Sequence, residues 1–519
     1  MPIVSIKLKS SASNIVFNTF KPSTSPTDHS SMDPPLDNTR HLRYWQRCLR
    51  TLLPYQYTAN DSTRMTLGCF SVAAADVLTA GPTPTSIIPP ADRKAFRSWV
   101  LACQHPGGGF AGSPTHVFPR VVYGGFDFAT GGPTIGAQGE ANIAATLFAL
   151  QLLALLASEP GSGADGEQTE GKKEGAFLGV NRNATLRWLR RLQRENGSFG
   201  EYVTEVVDPR AAGGRRTVIG GGADMRYCYI AAMIRWMLGG GRAHDDVEDI
   251  GVDALVLYIR RGQTYDGGFS ESSTHESHAG YAFCSIAALE LLGRAPEDGL
   301  VTTPAKNDLF ARGIADIPAL LRWLGSRSFL YKTKSDDDDD DEEEEEEWHE
   351  SIVTNVTPDT LLQSACHPLL GFNGRCNKHA DSCYTWWAVG SLTILQQNGH
   401  GLGEAAGTAA ANWDASRRFL LEEMQHAIGG FSKAPGGPPD VYHSYLSLAV
   451  LATKGEPTLK AFDPAMSVSV DTVRTIEAAR RGLLRGLGDG GAKRRADLLS
   501  LGKACWEANS TVTAAATAA

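Results

Sequence analysis

No apolar run in this sequence approaches the roughly eighteen residues that a membrane-spanning helix needs, so it offers no transmembrane candidate. A disulfide framework is missing as well. The nine cysteines, at positions 48, 69, 103, 228, 284, 366, 376, 383 and 505, are scattered among apolar neighbours rather than densely and regularly spaced. That pattern points to reduced thiols and a cytoplasmic setting. Arginine is absent before Arg40 and acids before Asp28, and the Ser/Thr-rich opening lacks the amphipathic pattern of a transit peptide. Residues 1–38 are expected to form a disordered tail, with Met32 as a second candidate start.

A basic surface is also lacking. The formal net charge is −9, yet Asp336–Asp341 and Glu342–Glu347 form one unbroken run of twelve acids, and without it the balance is +3. Nothing here implies a nucleic-acid partner. A homopolymeric acidic run repels itself and is expected to be disordered. It carries no positional information, which argues against reading it as an Asp-rich diphosphate–Mg²⁺ motif.

What the sequence does have is a repeat. "QHPGGGF" (104–110), "QRENGSF" (193–199), "QTYDGGF" (263–269) and "QHAIGGF" (425–431) share Gln-x-x-x-Gly-(Gly/Ser)-Phe, and "LLGFNGR" is an incomplete further copy ending its aromatic at Phe372. A helical run ends near each Gln, and a more apolar helical run with small residues follows each Phe. Helix, Gly-rich turn and apolar helix, repeated, is the signature of a helical array. The second helix of each pair is apolar nearly all round, so it should be buried on both sides, with amphipathic helices outside. The expected fold is all-α, two concentric helical layers. An open solenoid would need polar caps; a closed ring would not, and would enclose a central cavity.

The toroid is expected over 39–455, interrupted by disordered inserts at about 158–175, 204–223 and 328–360, with a helical extension and tail over 456–519. Within it, Asp381 and Cys383 flank one residue near the start of an inner helix, and His443 occupies the corresponding place in the last repeat. Those donors suit Zn²⁺ with one position open; an N-cap Asp and a buried Cys are the alternative. Arg375, Lys378 and His278 approach the same rim beside helix N-termini, a pattern suited to a diphosphate or to solvated loop cations. Tyr227, Tyr229, Tyr281, Phe283, Trp386 and Trp387 could pack a core or line an apolar tunnel.

The repeats, together with "GFNGRCNKHADSCYTWW" and "GGFSKAPGGPPDVYHSY", resemble the β subunits of the protein prenyltransferases over roughly 41–453. The resemblance implies an α/α toroid, wrapped by an obligate α subunit, that moves an isoprenoid from its diphosphate to a Cys near a protein's C-terminus. The opening "HLRYWQRCLRTLLPYQYTANDSTRMTLGCF" is similar to that of the type I geranylgeranyltransferase branch. By this resemblance Thr66 stands where the farnesyl branch has a bulky Trp, and Lys433 where that branch has an Asp that helps bind Mg²⁺, so Mg²⁺ should not be required.

The resemblance further implies that Asp381, Cys383 and His443 are zinc ligands. His278, Arg375, Lys378, Tyr384 and Lys433 would grip the diphosphate, with Arg226 in the same basic cluster, and Thr66, Phe70 and Trp387 would shape the lipid and peptide sites. A zinc-bound substrate thiolate would attack C1 of geranylgeranyl diphosphate. Burial of the lipid at about 0.8 kcal/mol per CH₂ would slow product release. Substrates would be proteins such as Rho-type small GTPases ending in Cys-aliphatic-aliphatic-X, with X preferably Leu. Three positions depart from the family pattern on its peptide side: Asn142 for a His, Tyr227 for a Phe and Tyr442 for a Leu. A farnesyltransferase β subunit is the nearest rival. The Rab branch is shorter and lacks this opening, a terpene cyclase would need an acidic protonation motif in the cavity, and a non-catalytic scaffold would have lost the ligands.

Overall fold

The computed structural model describes residues 35–57, 60–80, 87–114, 126–127, 132–133, 141–157, 173–210, 214–242, 245–295, 306–331, 369–400 and 413–485. The acidic run, the tail up to residue 34, most of the insert at 158–175 and everything after 485 lie outside these residues. Fourteen α-helices follow one another among the described residues: α1 (Asn38–Arg50), α2 (Arg64–Val77), α3 (Pro90–Ala102), α4 (Ile143–Ala157), α5 (Arg182–Arg191), α6 (Met225–Met237), α7 (Val252–Arg261), α8 (Ala279–Gly293), α9 (Lys306–Gly313), α10 (Ile317–Gly325), α11 (Ser382–Gln397), α12 (Trp413–Arg418), α13 (Val441–Thr453) and α14 (Val470–Arg485). A π-helical turn, Phe419–Met424, continues α12.

The outer helices repeat one burial pattern. Leu186, Trp188 and Leu189 of α5, Val256, Tyr258 and Ile259 of α7, and Leu321, Trp323 and Leu324 of α10 are buried at the same i, i+2, i+3 spacing, which gives each helix one apolar stripe. Inner helices are buried around their circumference; α8 buries every residue except Tyr281. In order around the ring, α2 packs on α4, α4 on α6, α6 on α8, α8 on α11, α11 on α13, and α13 back on α2. The toroid is therefore closed, as the repeat pattern implies.

The motif's Gln joins each repeat to the next. Its side-chain oxygen accepts the backbone N–H of the residue that caps the following outer helix: Gln104 from Asn181 at 2.7 Å, Gln193 from Gly251 at 2.7 Å and Gln263 from Asp316 at 2.9 Å. Gln425 accepts in the same way from Asp37, the cap of α1, at 3.3 Å, so the last repeat joins the first. The Gly turn lets the chains approach. Gly197 has φ of 92°, and a Cβ there would lie 2.0 Å from the Ala254 carbonyl oxygen, so no other residue fits. Phe110, Phe199, Phe269 and Phe431 close each turn with no exposed surface. Each contributes about 1.5–3 kcal/mol of burial.

Two insert boundaries differ from expectation. The stretch expected as a disordered insert at 204–223 contains an antiparallel hairpin, Tyr202–Val207 with Arg215–Gly220. Its Val, Thr and Ile residues favour strands, and the Gly/Arg-rich turn between them hides that preference from composition alone. The insert expected from 328 begins later, because Ser328–Tyr331 pairs with Leu369–Phe372, and Phe372 faces Ser328 much as each motif Phe faces its Gln. After α13 the chain forms a short turn, Phe462–Asp463 paired with Val468–Ser469, and then α14, the helical extension expected there. No helix among the described residues is long and apolar enough to cross a membrane.

Candidate metal and anion site

Inner helices begin at one rim, and polar caps mark their starts. Asp381 caps α11 by accepting the Cys383 N–H at 2.9 Å, Asp440 caps α13 by accepting the His443 N–H at 2.9 Å, and His278 caps α8 through Nδ1, which accepts the Gly280 N–H at 2.9 Å. Because α11 and α13 are neighbours in the ring, their first turns meet. One ligand atom each from Asp381, Cys383 and His443 lies within 4.8 Å of the other two. His443 Nε2 is 3.2 Å from Asp381 Oδ1, and its Nδ1 is 2.5 Å from Asp440 Oδ2.

This arrangement fits Zn²⁺. It offers one sulfur, one oxygen and one nitrogen, with the imidazole oriented by a carboxylate on its far nitrogen. The protonation pattern is that of ligands sharing protons. Burial opposes it, but hydrogen bonds to Asp381 and Asp440 push His443 up to about 9. Burial works to raise Asp381, and the His443 contact overrides it, so this carboxyl sits below its usual range. Burial and the Asp381 charge drive the Cys383 thiol well up. Asp440 was not singled out in the sequence, although an Asp three residues before a His at a helix start is the spacing of a capping pair.

Several of the residues expected to hold an anion lie near one another beside this cluster. Tyr384 Oη lies 3.3 Å from His278 Nε2. With Nδ1 occupied as an acceptor, His278 carries its proton on Nε2 and presents it as a donor. Burial, then Arg375 and Arg226, hold the ring neutral, with its pKa lowered to about 4. Arg375 pairs with Glu276 at 3.2 Å, and Arg226 is gripped by both oxygens of Asp224, one of them 2.5 Å from Nη2. Lys378 and Lys433 stand exposed on the loops leading to the two metal-ligand helices. The Lys433 backbone oxygen accepts the Ser382 N–H at 3.1 Å, which places that loop against the start of α11. The start of α8, whose dipole favours an anion, thus lies beside the charges of Arg375 and Arg226, which act on His278.

The remaining residues line the inner wall below. Phe70 stacks on Tyr445 with centroids 4.8 Å apart and meets Phe148 edge-on at 5.3 Å, and Trp387 tilts against Phe283 at 5.1 Å. Thr66, Phe70, Phe148, Tyr227, Tyr281 and Trp387 are only half-buried, so the wall near the rim is accessible and apolar. Of the three departures, Asn142 is a cap, its side chain accepting the Ala145 N–H at 2.6 Å. Tyr227 donates to Glu201 at 3.3 Å, and the half-exposed Tyr442 lies 6.3 Å from Phe70, ring to ring.

A family model for the prenyltransferase alpha-alpha toroid domain matches residues 36–468. The chain is 26% identical over 449 residues to the geranylgeranyl transferase type-1 subunit beta of Arabidopsis thaliana, spanning 86% of this chain and 92% of that protein. It is 27% identical over 293 residues to the subunit of the same name from Dictyostelium discoideum, spanning 56% of this chain and 59% of that one. The protein farnesyltransferase subunit beta of Pyricularia oryzae is 23% identical over 436 residues, spanning 81% and 63%. Candida albicans protein geranylgeranyltransferase-I, solved complexed with GGPP, superposes with a TM-score of 0.58 over 85% of this chain and 98% of that one. At 20% identity this last likeness speaks to fold.

Proposed function

The chain belongs to the prenyltransferase alpha-alpha toroid family, and from that premise we propose that it is the catalytic β subunit of a type I protein geranylgeranyltransferase. The reaction joins C1 of geranylgeranyl diphosphate to the sulfur of a Cys in a C-terminal Cys-aliphatic-aliphatic-X sequence, with Leu favoured at X. The C1–O bond breaks, the S–C1 bond forms, diphosphate leaves and the thiol proton goes to solvent. The observation that carries this reading is the convergence of Asp381, Cys383 and His443 to within 4.8 Å.

A zinc ion held by those three residues would supply a Lewis-acid position that favours the acceptor thiolate at neutral pH. The chain's own groups do the rest. His278 Nε2–H, the Tyr384 hydroxyl, Arg375, Lys378 and Lys433 donate to the diphosphate oxygens as negative charge builds on the leaving group. Asp224 and Glu276 hold Arg226 and Arg375 in place. Thr66, Phe70 and Trp387 take the isoprenoid against the accessible wall and exclude water from C1. The acceptor protein would be a small GTPase in the cytoplasm, and an α subunit would complete the enzyme.

Two features favour the geranylgeranyl reading over the farnesyl one. Thr66 leaves room on the wall of α2, and the ammonium of Lys433 stands at the rim where Mg²⁺ would otherwise balance the diphosphate. Tyr442 is the observation on the farnesyl side, since it adds a bulky ring facing Phe70. The test is co-expression with a prenyltransferase α subunit, then competition between farnesyl and geranylgeranyl diphosphate on peptides ending in Leu or Ser. Preference for geranylgeranyl transfer to the Leu peptide without added Mg²⁺ is expected. Farnesyl transfer to the Ser peptide with strong Mg²⁺ dependence would overturn the assignment.

A further inference from the structure

One repeat breaks the motif at two places, and both lie at the root of the loop that carries Arg375 and Lys378. The four full copies follow their Phe with a small residue: Ala111, Gly200, Ser270 and Ser432. The incomplete copy has Asn373 there, and Ser328 faces Phe372 where the other copies have Gln. The bracing amide has moved from the turn before the Phe to the loop after it. Gln193 and Gln263 donate to the carbonyls of Gly197 and Gly267 at 3.4 and 3.1 Å. Asn373 Nδ2 donates instead to the Lys378 carbonyl at 2.9 Å.

That bond closes the loop upon itself. The Phe372 carbonyl accepts the Asp381 N–H at 3.1 Å, which fixes the base of the loop, and the Asn373 bond ties its interior. Between Asn373 and Lys378, Asn377 takes φ of 54°, a left-handed turn that asparagine tolerates better than most residues. Asn373 is 2% exposed, whereas Cys376, Asn377, Lys378 and His379 are exposed. The amide therefore acts from beneath the loop, not on its surface.

The loop is also anchored to its neighbours. The Gly374 carbonyl accepts the Ala279 N–H at 2.9 Å, in the first turn of α8 beside His278. A Cβ at Gly374 would lie 2.0 Å from the Tyr384 ring, so the backbone runs directly against that ring. Asn373 N–H donates to the Arg327 carbonyl at 2.9 Å, which carries the pairing of 328–331 with 369–372 one residue further. Arg375 follows Gly374 and pairs with Glu276 at 3.2 Å. Backbone on either side of Arg375 and Lys378 is thus secured through Asn373.

We propose that Asn373 is the positioning residue of this loop, its buried amide setting where Arg375 and Lys378 meet the diphosphate. This rests on the prenyl-transfer reading above and names a residue that acts through others. Without the amide the Lys378 carbonyl loses its donor, and the loop must order itself each time an anion binds, at a cost in affinity. The charged head of a ligand should feel that cost. An apolar tail and the metal ligands should not.

The experiment uses the complex purified after co-expression with an α subunit and compares Asn373→Ser with the parent. Serine is the residue that two full copies carry at this place, and it is too short to reach the Lys378 carbonyl. Calorimetric titration is made with inorganic diphosphate, geranylgeranyl diphosphate and geranylgeraniol. Asn373→Ser should weaken both diphosphates about tenfold, the loss expected from one hydrogen bond, and leave the alcohol within twofold. The KM for the donor should rise similarly, with kcat, the acceptor-peptide KM and zinc content within twofold. Unchanged diphosphate affinity in a folded variant, or a loss shared equally by the alcohol and the acceptor peptide, overturns the proposal. If Asn373→Ser does not fold, Asn373→Ala, the residue of the first copy, decides. If the parent complex transfers no prenyl group, the functional reading has failed separately, and inorganic diphosphate decides the loop; a parent that does not bind it overturns the proposal.

Discussion

Gln425 Oε1 accepts the backbone N–H of Asp37 across 388 positions of sequence. The same oxygen lies 2.9 Å from His41 Nε2, and His41 Nδ1 accepts the Gly430 N–H at 3.0 Å. This clasp turns a row of repeats into a ring, and it differs from the other joints in having an imidazole at its centre, stacked on Phe431 at 4.8 Å.

Gln425→Leu should open that seam first. The lost bonds leave the Asp37 N–H and His41 Nε2 without their partner, a cost of about 1–3 kcal/mol. Native-state hydrogen exchange is expected to show the amides of α1 losing protection more than those of α7. Equal loss in both helices would mean the clasp has no special role in closure.

His41 gives stability a pH dependence. Burial, only partly offset by the Gln425 bond and the Asp37 charge, lowers its pKa from 6.5 to about 4. Below 6.5 the unfolded chain takes up a proton that the folded chain refuses, so stability is lost as pH falls from 6.5 towards 4. The contribution is up to roughly 3 kcal/mol. Urea unfolding of His41→Gln across this window should show a flatter pH slope than the parent protein; identical slopes would remove His41 from the account.

Arg182 tests the outer layer. Its guanidinium, 5% exposed, holds the Leu238 and Gly239 carbonyls, each at 2.7 Å, and pairs with Asp245. Arg182→Met takes the ion-pair partner from the Asp245 carboxylate and the donor from two carbonyls, which should cost about 3–5 kcal/mol. A thermal melt within two degrees of the parent, roughly the shift from 1 kcal/mol or less, would contradict this.

Cys383→Ala removes the sulfur ligand without disturbing the α11 cap, because Asp381 bonds to a backbone N–H that alanine retains. Atomic absorption should find about one equivalent of zinc in the parent protein and close to none in the variant, with unchanged far-UV circular dichroism and nearly all prenyl transfer lost. Retained zinc would move the metal site elsewhere.

Periodicity made the helices and their layers readable in the sequence, since an inner helix such as α8 can carry apolar residues on every face only if it is buried on every face. The motif spacing likewise placed Asp381, Cys383, His443 and His278 at helix starts, because a Gly turn and a polar cap are local signals. The hairpin at 202–220 was hidden behind its Gly/Arg-rich turn. The Gln joints were out of reach for a different reason: each depends on which N–H lies opposite a side chain, and that is decided only when distant segments pack. Local chemistry wrote the parts of this site, and closure of the ring decided which of them touch.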